Sequence, residues 1–324
     1  MKSYWELEQV PADLPPTVVT IGNFDGVHRG HIAILDRTRE LASTLQLDPL
    51  ALIFDPHPTR VVRPDRAPAL LTLPVERLWR FRQLGFHAGV VMKFTPEVAA
   101  LSPKEFVQRV VVDRLHARAV LVGENFRFGC RQAGDFTRLR ALGEELGFRA
   151  EAVPPLEVAG EPISSTRIRA AVSSGALGVA RRLLGRPFSL QGPIVTGHGV
   201  GARETVPTLN LKPEAEVLPP TGVYVTMTCD PLRGQTWKSI SNVGYRPTFD
   251  GENLSVETHV LDEWRGEQPE RIELAFYRRL REEKRFASAD RLKHQIQSDI
   301  RSAERYLHRL SALKTSNPEA TPRP

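Results

Sequence analysis

A chain of 324 residues, 41% hydrophobic and 25% charged, has the composition of a globular protein and is long enough for two domains. No apolar run approaches the length of a membrane span. Residues 1–10 include Glu6 and Glu8 where a signal peptide needs an apolar core, so we expect a cytoplasmic protein without membrane association. The two cysteines, Cys130 and Cys229, exclude a disulfide framework and an all-cysteine metal site. A net charge of +6 fits either nucleic acid or a small polyanionic substrate such as ATP.

Strand-like and helix-like segments alternate along the chain up to about Gly185. Apolar and β-branched runs predict strands at 18–24, 50–54, 89–94, 119–123 and 149–153. Helical periodicity predicts helices at 75–84, 103–115 and 136–146. Ser102 is a predicted N-cap because Pro103 follows it at the first helical position. This alternation indicates an α/β domain with a doubly wound parallel sheet, whose ligands bind at the carboxyl ends of the strands.

The first loop of this predicted domain, Gly22 to His31, reads GNFDGVHRGH. Its position between a strand and a helix places His28 and His31 at the helix N-terminus, where unpaired N–H groups and the helix dipole favour anions. The glycines of the loop allow the backbone to approach a ligand closely. An isolated HxxH is more often a pair of solvated turn residues. The strand, the glycine loop and the helix together favour a site for the phosphates of a nucleotide.

Three further segments follow predicted strands or begin predicted helices. Residues 54–58 read FDPHP, residues 123–129 read GENFRFG, and residues 163–169 read ISSTRIR. Two prolines stiffen the first segment, the second supplies two aromatic rings and a guanidinium group, and the third supplies hydroxyls and arginines that suit phosphate. Each segment is a weak signal by itself, since Phe126 and Phe128 could be core residues and the hydroxyls could cap a helix.

After residue 185 the sequence changes to short strands separated by glycine and proline turns. The strands are predicted at 189–195, 222–228, 237–243, 255–261 and 271–276, and they indicate a small antiparallel β-barrel. A final helix is predicted, with Ser288 as its N-cap and Leu292, Ile296 and Ile300 on one face. We therefore expect domains at 1–185 and 186–312, and a disordered tail at 313–324.

The second half has its own candidate chemistry. A glycine-rich loop, GHGVG at 197–201, can expose N–H groups to phosphate. Thr208 and Asn210 carry hard oxygen ligands suited to Mg²⁺. In the predicted strand at 255–261, Glu257 could accept a proton from an alcohol nucleophile. Without these companions, a solvated carboxylate on an outer face would be the better interpretation of Glu257.

Together and in this order, these motifs resemble the bacterial bifunctional riboflavin kinase/FMN adenylyltransferase family, the prokaryotic FAD synthetases. The resemblance covers nearly the whole chain. In the first half it rests on GNFDGVHRGH, FDPHP, GENFRFG and ISSTRIR, and in the second on the glycine loop, PTLN, NVGYRPT and ETH. It implies an HxGH nucleotidyltransferase domain of Rossmann-like fold, followed by a riboflavin kinase barrel with a C-terminal helix. The implied reactions convert riboflavin to FMN and FMN to FAD, with ATP as co-substrate and Mg²⁺ as cofactor.

The resemblance also assigns residues of the first domain. It implies that ATP is bound by Gly22, Phe24, Asp25, His28, His31, Ser164, Ser165, Thr166 and Arg169. Of these, His28, His31 and Arg169 would be catalytic. It implies that the flavin is bound by Phe54, Pro56, His57, Pro58, Asn125, Phe126, Arg127 and Phe128. The family often has aspartate where this chain has Asn125, so the chain departs from the family pattern at this position.

For the second domain, the resemblance implies that Glu257 deprotonates the 5′-hydroxyl of riboflavin for attack on the γ-phosphate of ATP. ATP would be bound by Gly197, Gly199, Gly201, Pro207, Thr208 and Asn210. Thr208 and Asn210 would also hold the metal, and the flavin would contact Asn242, Arg246 and Glu257.

Two alternatives remain open from the sequence. The family usually reads GRxLGFPTAN where this chain reads GARETVPTLN at 201–210, so an adenylyltransferase with a flavin-binding but inactive kinase domain is the runner-up. A basic nucleic-acid-binding protein is a competitor of another class, but the chain lacks a basic stripe with interleaved aromatic residues. We therefore expect small-molecule substrates and no nucleic-acid partner, and the sequence leaves the oligomeric state open.

Overall fold

The computed structural model describes residues 1–195, 208–248, 251–262, 267–284 and 286–316. The chain forms two compact units, Met1–Ser165 and Thr166–Pro324. Residues 166–185 belong to the second unit, where Arg181 lies over the ring of Tyr277 at 5.9 Å. The functional boundary expected at residue 185 stays a prediction. None of the described helices combines the length and the apolar character that crossing a membrane requires.

The first unit contains a six-stranded parallel sheet in the order β1-β4-β3-β2-β5-β6. Its strands are Lys2–Tyr4 (β1), Thr17–Ile21 (β2), Asp48–Asp55 (β3), Ala88–Lys93 (β4), Ala117–Gly123 (β5) and Arg149–Val153 (β6). All five residues of β2 are buried, with Val19 and Ile21 in one hydrophobic cluster and Val18 in another. Burial on both faces requires cover on both faces, which confirms the doubly wound sheet.

Six helices belong to this unit: Arg29–Leu45 (α1), Pro58–Val62 (α2), Pro74–Gln83 (α3), Pro96–Ala100 (α4), Pro103–Phe106 (α5) and Phe136–Leu146 (α6). Ser102 caps α5 as predicted, since its hydroxyl accepts from the Glu105 N–H while Glu105 accepts from the Ser102 N–H. The helix predicted at 103–115 is α5 followed by a π-helical turn, Val107–Val112. Three valines of this turn are buried in the core, and β-branched residues have a lower preference for the α-helix. A two-stranded ribbon, Glu157–Val158 (β7) and Glu161–Pro162 (β8), follows β6.

Two helices precede the barrel, Ser165–Ser173 (α7) and Leu177–Leu184 (α8), and all of their residues except Ser165 belong to the second unit. A closed antiparallel barrel follows, with its strands in the order β10-β13-β12-β11-β14-β9. The strands are Phe188–Val195 (β9), Thr208–Leu211 (β10), Gly222–Cys229 (β11), Thr236–Thr248 (β12), Gly251–Val260 (β13) and Arg271–Arg281 (β14). The predicted barrel is confirmed, although the sequence patterns missed β10, which is only four residues long.

The last helix, Ala289–Ser316 (α9), covers part of the barrel. It starts as predicted, with the Ser288 hydroxyl accepting from the Arg291 N–H at 3.3 Å. Its buried contacts lie further along than the predicted stripe: Ala303 and Leu307 pack on Val225 of β11, whereas Leu292 is 37% exposed. The helix extends four residues into the tail predicted to be disordered, and residues 317–324 lie outside the described part of the chain.

Candidate active sites

The loop between β2 and α1 has an unusual backbone. Phe24, Gly26 and Val27 have φ values of 49°, 83° and 39°, in the left-handed region that residues other than glycine rarely adopt. The side chains of Phe24 and Val27 are buried in a hydrophobic cluster with Leu35 of α1. At Phe24 and Val27 such strain, of order 1–3 kcal/mol each, persists only where the surrounding structure fixes it. The core contacts of Phe24 and Val27 are therefore one part of what fixes this loop.

The two histidines lie at the N-terminus of α1, as the sequence predicts. His28 is the N-cap residue, and its Nδ1 accepts from the His31 N–H at 3.2 Å. The two rings are stacked with centroids 3.5 Å apart, and His31 meets the ring of Phe24 edge-on at 5.2 Å. A neutral His28 that accepts at Nδ1 carries its proton on Nε2 and can donate it to an anion. Both imidazoles and the first N–H groups of α1 thus converge where a phosphate can bind.

The ISSTRIR segment crosses the boundary between the two units, with both of its serines in the first. The Ser165 hydroxyl donates to the Asp25 carbonyl at 2.9 Å, which ties this segment to the phosphate loop. Thr166 and Arg169 follow in α7, which continues into the second unit. Their assignment to ATP stays a prediction. Asp25 itself is 2% exposed, and its carboxylate accepts from backbone N–H groups of residues 71 and 72.

An aromatic cavity of about 670 Å³ lies in the first unit, at the carboxyl ends of β3, β4 and β5. Its rings are Phe54, Phe94, Phe106, Phe126 and Phe128. The rings of Phe126 and Phe128 are parallel to within 14°, with centroids 5.5 Å apart. Four guanidinium groups also line it: Arg63, Arg66, Arg127 and Arg131. None of the described residues that line the cavity carries a carboxylate. Arg66 and Arg127 lie 3.8 Å and 3.9 Å from the carboxylates of Asp65 and Asp135. Aromatic rings with several arginines suit a planar ligand that bears an anionic group.

This cavity brings together only some of the predicted flavin residues. Phe54, Pro58, Phe126, Arg127 and Phe128 line it, whereas Pro56, His57 and Asn125 do not. The sequence analysis did not identify the other lining residues. Among them, only Arg63 and Arg66, in the basic segment RVVRPDR, could have been suspected from the sequence.

His57 links the cavity to the phosphate loop. Its Nδ1 accepts from the Thr59 N–H as the N-cap of α2, and its Nε2 lies 3.1 Å from the side-chain amide of Asn23. Asn23 belongs to the GNFDGVHRGH loop, and Pro58 and Thr59 line the cavity. The phosphate loop and the aromatic cavity are therefore neighbours.

In the barrel, three predicted site residues occupy one row across adjacent strands. Glu257 of β13 is directly opposite Asn210 of β10 on one side and Asn242 of β12 on the other. Directly opposed residues share a face of the sheet, so the carboxylate and two amides face the same way. The Ser255 hydroxyl donates to Glu257 Oε1 at 3.2 Å. Behind this row, the buried hydroxyls of Ser241 and Thr258 are 2.9 Å apart and join β12 to β13.

The structure describes only some of the other residues predicted for the kinase site. Thr208 lies two residues before Asn210 on β10, so both share the face of Glu257. A hydroxyl, an amide oxygen and a carboxylate are the donors that Mg²⁺ prefers, so these residues fit the metal. Gly197, Gly199, Gly201 and Pro207 lie outside the described residues. Arg246 is opposite Asn253 in the β12–β13 pairing.

Comparisons with known proteins identify the family of each half of the chain. The FAD synthetase family model matches residues 10–167, and the riboflavin kinase family model matches residues 184–307. A bifunctional riboflavin kinase/FMN adenylyltransferase from Pseudomonas fluorescens is 38% identical over 287 residues, covering 88% of this chain and 91% of that protein. The protein of the same description from Escherichia coli (strain K12) is 35% identical over 300 residues, covering 93% and 95%.

A solved structure shares the fold. A crystal structure described as a macrolide-efflux protein from Streptococcus pneumoniae has a TM-score of 0.81 and 25% identity, covering 93% of this chain and 98% of that one. The family predicted from the four ordered motifs of the first half and the barrel motifs of the second is confirmed. The chain therefore belongs to the family of bifunctional riboflavin kinases/FMN adenylyltransferases.

Proposed function

We propose that this chain phosphorylates riboflavin to FMN at the barrel and adenylylates FMN to FAD in the first unit, using ATP at each step. The observation that carries the proposal is the pairing of an aromatic, arginine-lined cavity with a histidine-bearing phosphate loop, joined through His57 and Asn23. A planar flavin with an anionic phosphate and a nucleoside triphosphate are the two ligands that this pair suits. The family match and the Glu257 row in the barrel support the second activity, riboflavin phosphorylation.

In adenylyl transfer, an oxygen of the FMN phosphate forms a bond to the α-phosphorus of ATP. The bond from that phosphorus to the oxygen bridging to the β-phosphate breaks, and pyrophosphate leaves. This chain needs no covalent intermediate, because positioning and charge stabilisation are sufficient for such a displacement. His28 Nε2, His31 and the first N–H groups of α1 would donate to the phosphate oxygens as negative charge develops on the leaving group. Ser164, Ser165, Thr166 and Arg169 would complete the phosphate site.

In riboflavin phosphorylation, Glu257 accepts the proton of the 5′-hydroxyl while that oxygen attacks the γ-phosphorus of ATP, and ADP leaves. The hydrogen bond from Ser255 orients the Glu257 carboxylate, and Asn242 on the same face can contact the flavin. Thr208 and Asn210 would hold Mg²⁺, which neutralises charge on the phosphate oxygens when bound. The glycine loop and Arg246 keep the ATP and flavin roles predicted from the sequence.

We extend the proposal to location and partners. The chain would act in the cytoplasm on small molecules, without nucleic acid or membrane. Several basic side chains that could form a nucleic-acid surface are instead paired, as Arg37 is with Glu151 and Arg271 with Glu214. A salt-sensitive affinity for RNA would contradict this extension.

Product analysis tests the proposed pair of reactions. Incubation with riboflavin, ATP and Mg²⁺ is expected to yield FMN first and then FAD, and excess chelator is expected to stop both. FAD from supplied FMN, without FMN from riboflavin, would instead support the inactive-kinase alternative. Absence of both products in the presence of Mg²⁺ would contradict the proposal.

The stacked ring of Phe126 in the cavity gives a mutational test of flavin binding. We expect Phe126→Ala to raise the KM for FMN in FAD formation about tenfold with little change in kcat, because loss of one aromatic stacking contact costs about 1–3 kcal/mol. Trp5→Ala, which removes a ring that is 47% exposed elsewhere in the unit, is the matched control and should leave KM unchanged. An unchanged KM in both variants would place the flavin outside this cavity.

A further inference from the structure

A buried ion pair lies directly beneath the phosphate loop. Asp25 of the loop and Arg77 of α3 are 2% and 1% exposed, and Arg77 Nη2 is 3.4 Å from Asp25 Oδ1. Removing both charges from water is costly unless their remaining donors and acceptors are satisfied. Side chains so completely buried cannot reach a substrate, so this pair must act through the residues that it contacts.

The Asp25 carboxylate is bound by the segment that leads into α3. Its Oδ1 accepts from the N–H groups of Leu71 and Thr72 at 3.0 Å each, and the Thr72 hydroxyl lies 3.3 Å away. The same hydroxyl accepts from the N–H of Gly26 at 2.8 Å. Residues 71 and 72 therefore bind both the side chain of Asp25 and the backbone of Gly26.

Arg77 donates hydrogen bonds to both the loop and Thr72. Its Nη1 donates to the Asn23 carbonyl at 3.0 Å, its Nη2 donates to the Thr72 carbonyl at 2.6 Å, and its Nε donates to the Thr72 hydroxyl at 3.3 Å. The guanidinium group thus reaches the loop twice, at the Asn23 backbone and at the Asp25 carboxylate. Asn23 also carries the contact to His57.

These contacts surround the part of the loop with left-handed backbone. Asn23 and Asp25 flank Phe24, and Gly26 precedes Val27, whose φ is 39°. Conformations of this kind persist only when neighbouring groups fix them. The next residue is His28, so a shift of the loop would move the imidazoles and the first N–H groups of α1 together.

We propose that Arg77 is a positioning residue for adenylyl transfer: by binding Asp25, Thr72 and the Asn23 carbonyl, it holds the phosphate loop in its active geometry. The inference rests on the proposed placement of the ATP phosphates at this loop. Asp25, which the sequence assigned to ATP, serves here as the loop's anchor to Arg77. Misplacement of reacting groups by about 1 Å can cost about a hundredfold in rate.

The test measures kcat for FAD formation per FMN-binding site of the first unit. Quenching of FMN fluorescence in the full-length protein should count two sites per chain in the parent, one at the barrel and one in the first unit. Arg77→Met should retain FMN sites and the KM for FMN, yet lose at least about thirtyfold in kcat. Arg77→Lys restores the cation beside Asp25 but not the separate Nη1 and Nε donors to Asn23 and Thr72, so it should recover only part of the lost kcat. Arg82→Met, at an exposed position of the same helix, is the matched control and should behave as the parent.

A kcat within threefold of the parent in Arg77→Met would show that the loop needs no such anchor. If Arg77→Met lacks the first-unit FMN site, the charge-neutral double variant Asp25→Asn/Arg77→Met is measured. A recovered site with low kcat supports positioning, whereas recovered kcat or persistent loss of that site assigns Arg77 a structural role. His31→Ala is measured in parallel to distinguish failure of the Arg77 inference from failure of the proposed phosphate site. Full activity of that variant would contradict the phosphate site itself.

Discussion

His31→Ala is expected to lower the rate of FAD formation from FMN by about a hundredfold or more, the scale of losing one preorganised donor to a developing charge. His31 lies in the first turn of α1, with its ring 3.5 Å from that of His28 and 5.2 Å from that of Phe24. Its removal takes away a donor and also the ring against which His28 is stacked. Because that donor acts on charge that develops during transfer, the loss should fall on kcat more than on the KM for FMN.

The measurement is the initial rate of FAD formation from FMN and ATP, with riboflavin phosphorylation by the same variant as an internal control. The kinase rate should be unchanged, since the Glu257 row belongs to the barrel. His87→Ala is the matched control: this histidine is exposed and pairs with Asp48, away from the loop. A rate for His31→Ala close to that of the parent would remove the histidines from the adenylyl-transfer site.

The phosphate loop could be predicted from sequence because its signals are local. A β-branched strand, a glycine loop and a helix start follow each other within Val18 to Ile32, and their order fixes where the histidines lie. The left-handed φ of Val27 was not predictable, since a valine adopts it only under tertiary constraint. The role of Arg77 was equally hidden, because it depends on contacts with Asp25, 52 positions away.

In the barrel, the sequence motifs were recognisable but their spatial arrangement was not. Glu257, Asn210 and Asn242 were each identified from short motifs, but their alignment in one row depends on strand register, which pairs residues far apart in the chain. The strand that carries Asn210 was missed because four residues give too short an alternation to recognise. Motifs therefore supplied the candidate residues of this unit, and only the fold showed that these three share a face.

Glu257→Gln is expected to lower FMN formation from riboflavin by about a hundred- to ten-thousandfold, the range supplied by a general base. Glutamine keeps the length of the side chain and can still accept from the Ser255 hydroxyl, so the geometry of the row should survive. The amide cannot take up the proton of the 5′-hydroxyl, and the loss should therefore fall on kcat. FAD formation from supplied FMN should remain at the parental rate, because the phosphate loop and cavity belong to the other unit.

The two rates must be measured on the same preparation, with Glu270→Gln as the matched control. Glu270 is an exposed carboxylate beside the start of β14, and its replacement should leave both rates unchanged. Loss of FMN formation alone would establish two independent sites in one chain and exclude the inactive-kinase alternative, since an inactive domain has no rate to lose. Joint loss of both rates in Glu257→Gln would contradict independent sites, and an undiminished kinase rate would require a different base for the 5′-hydroxyl.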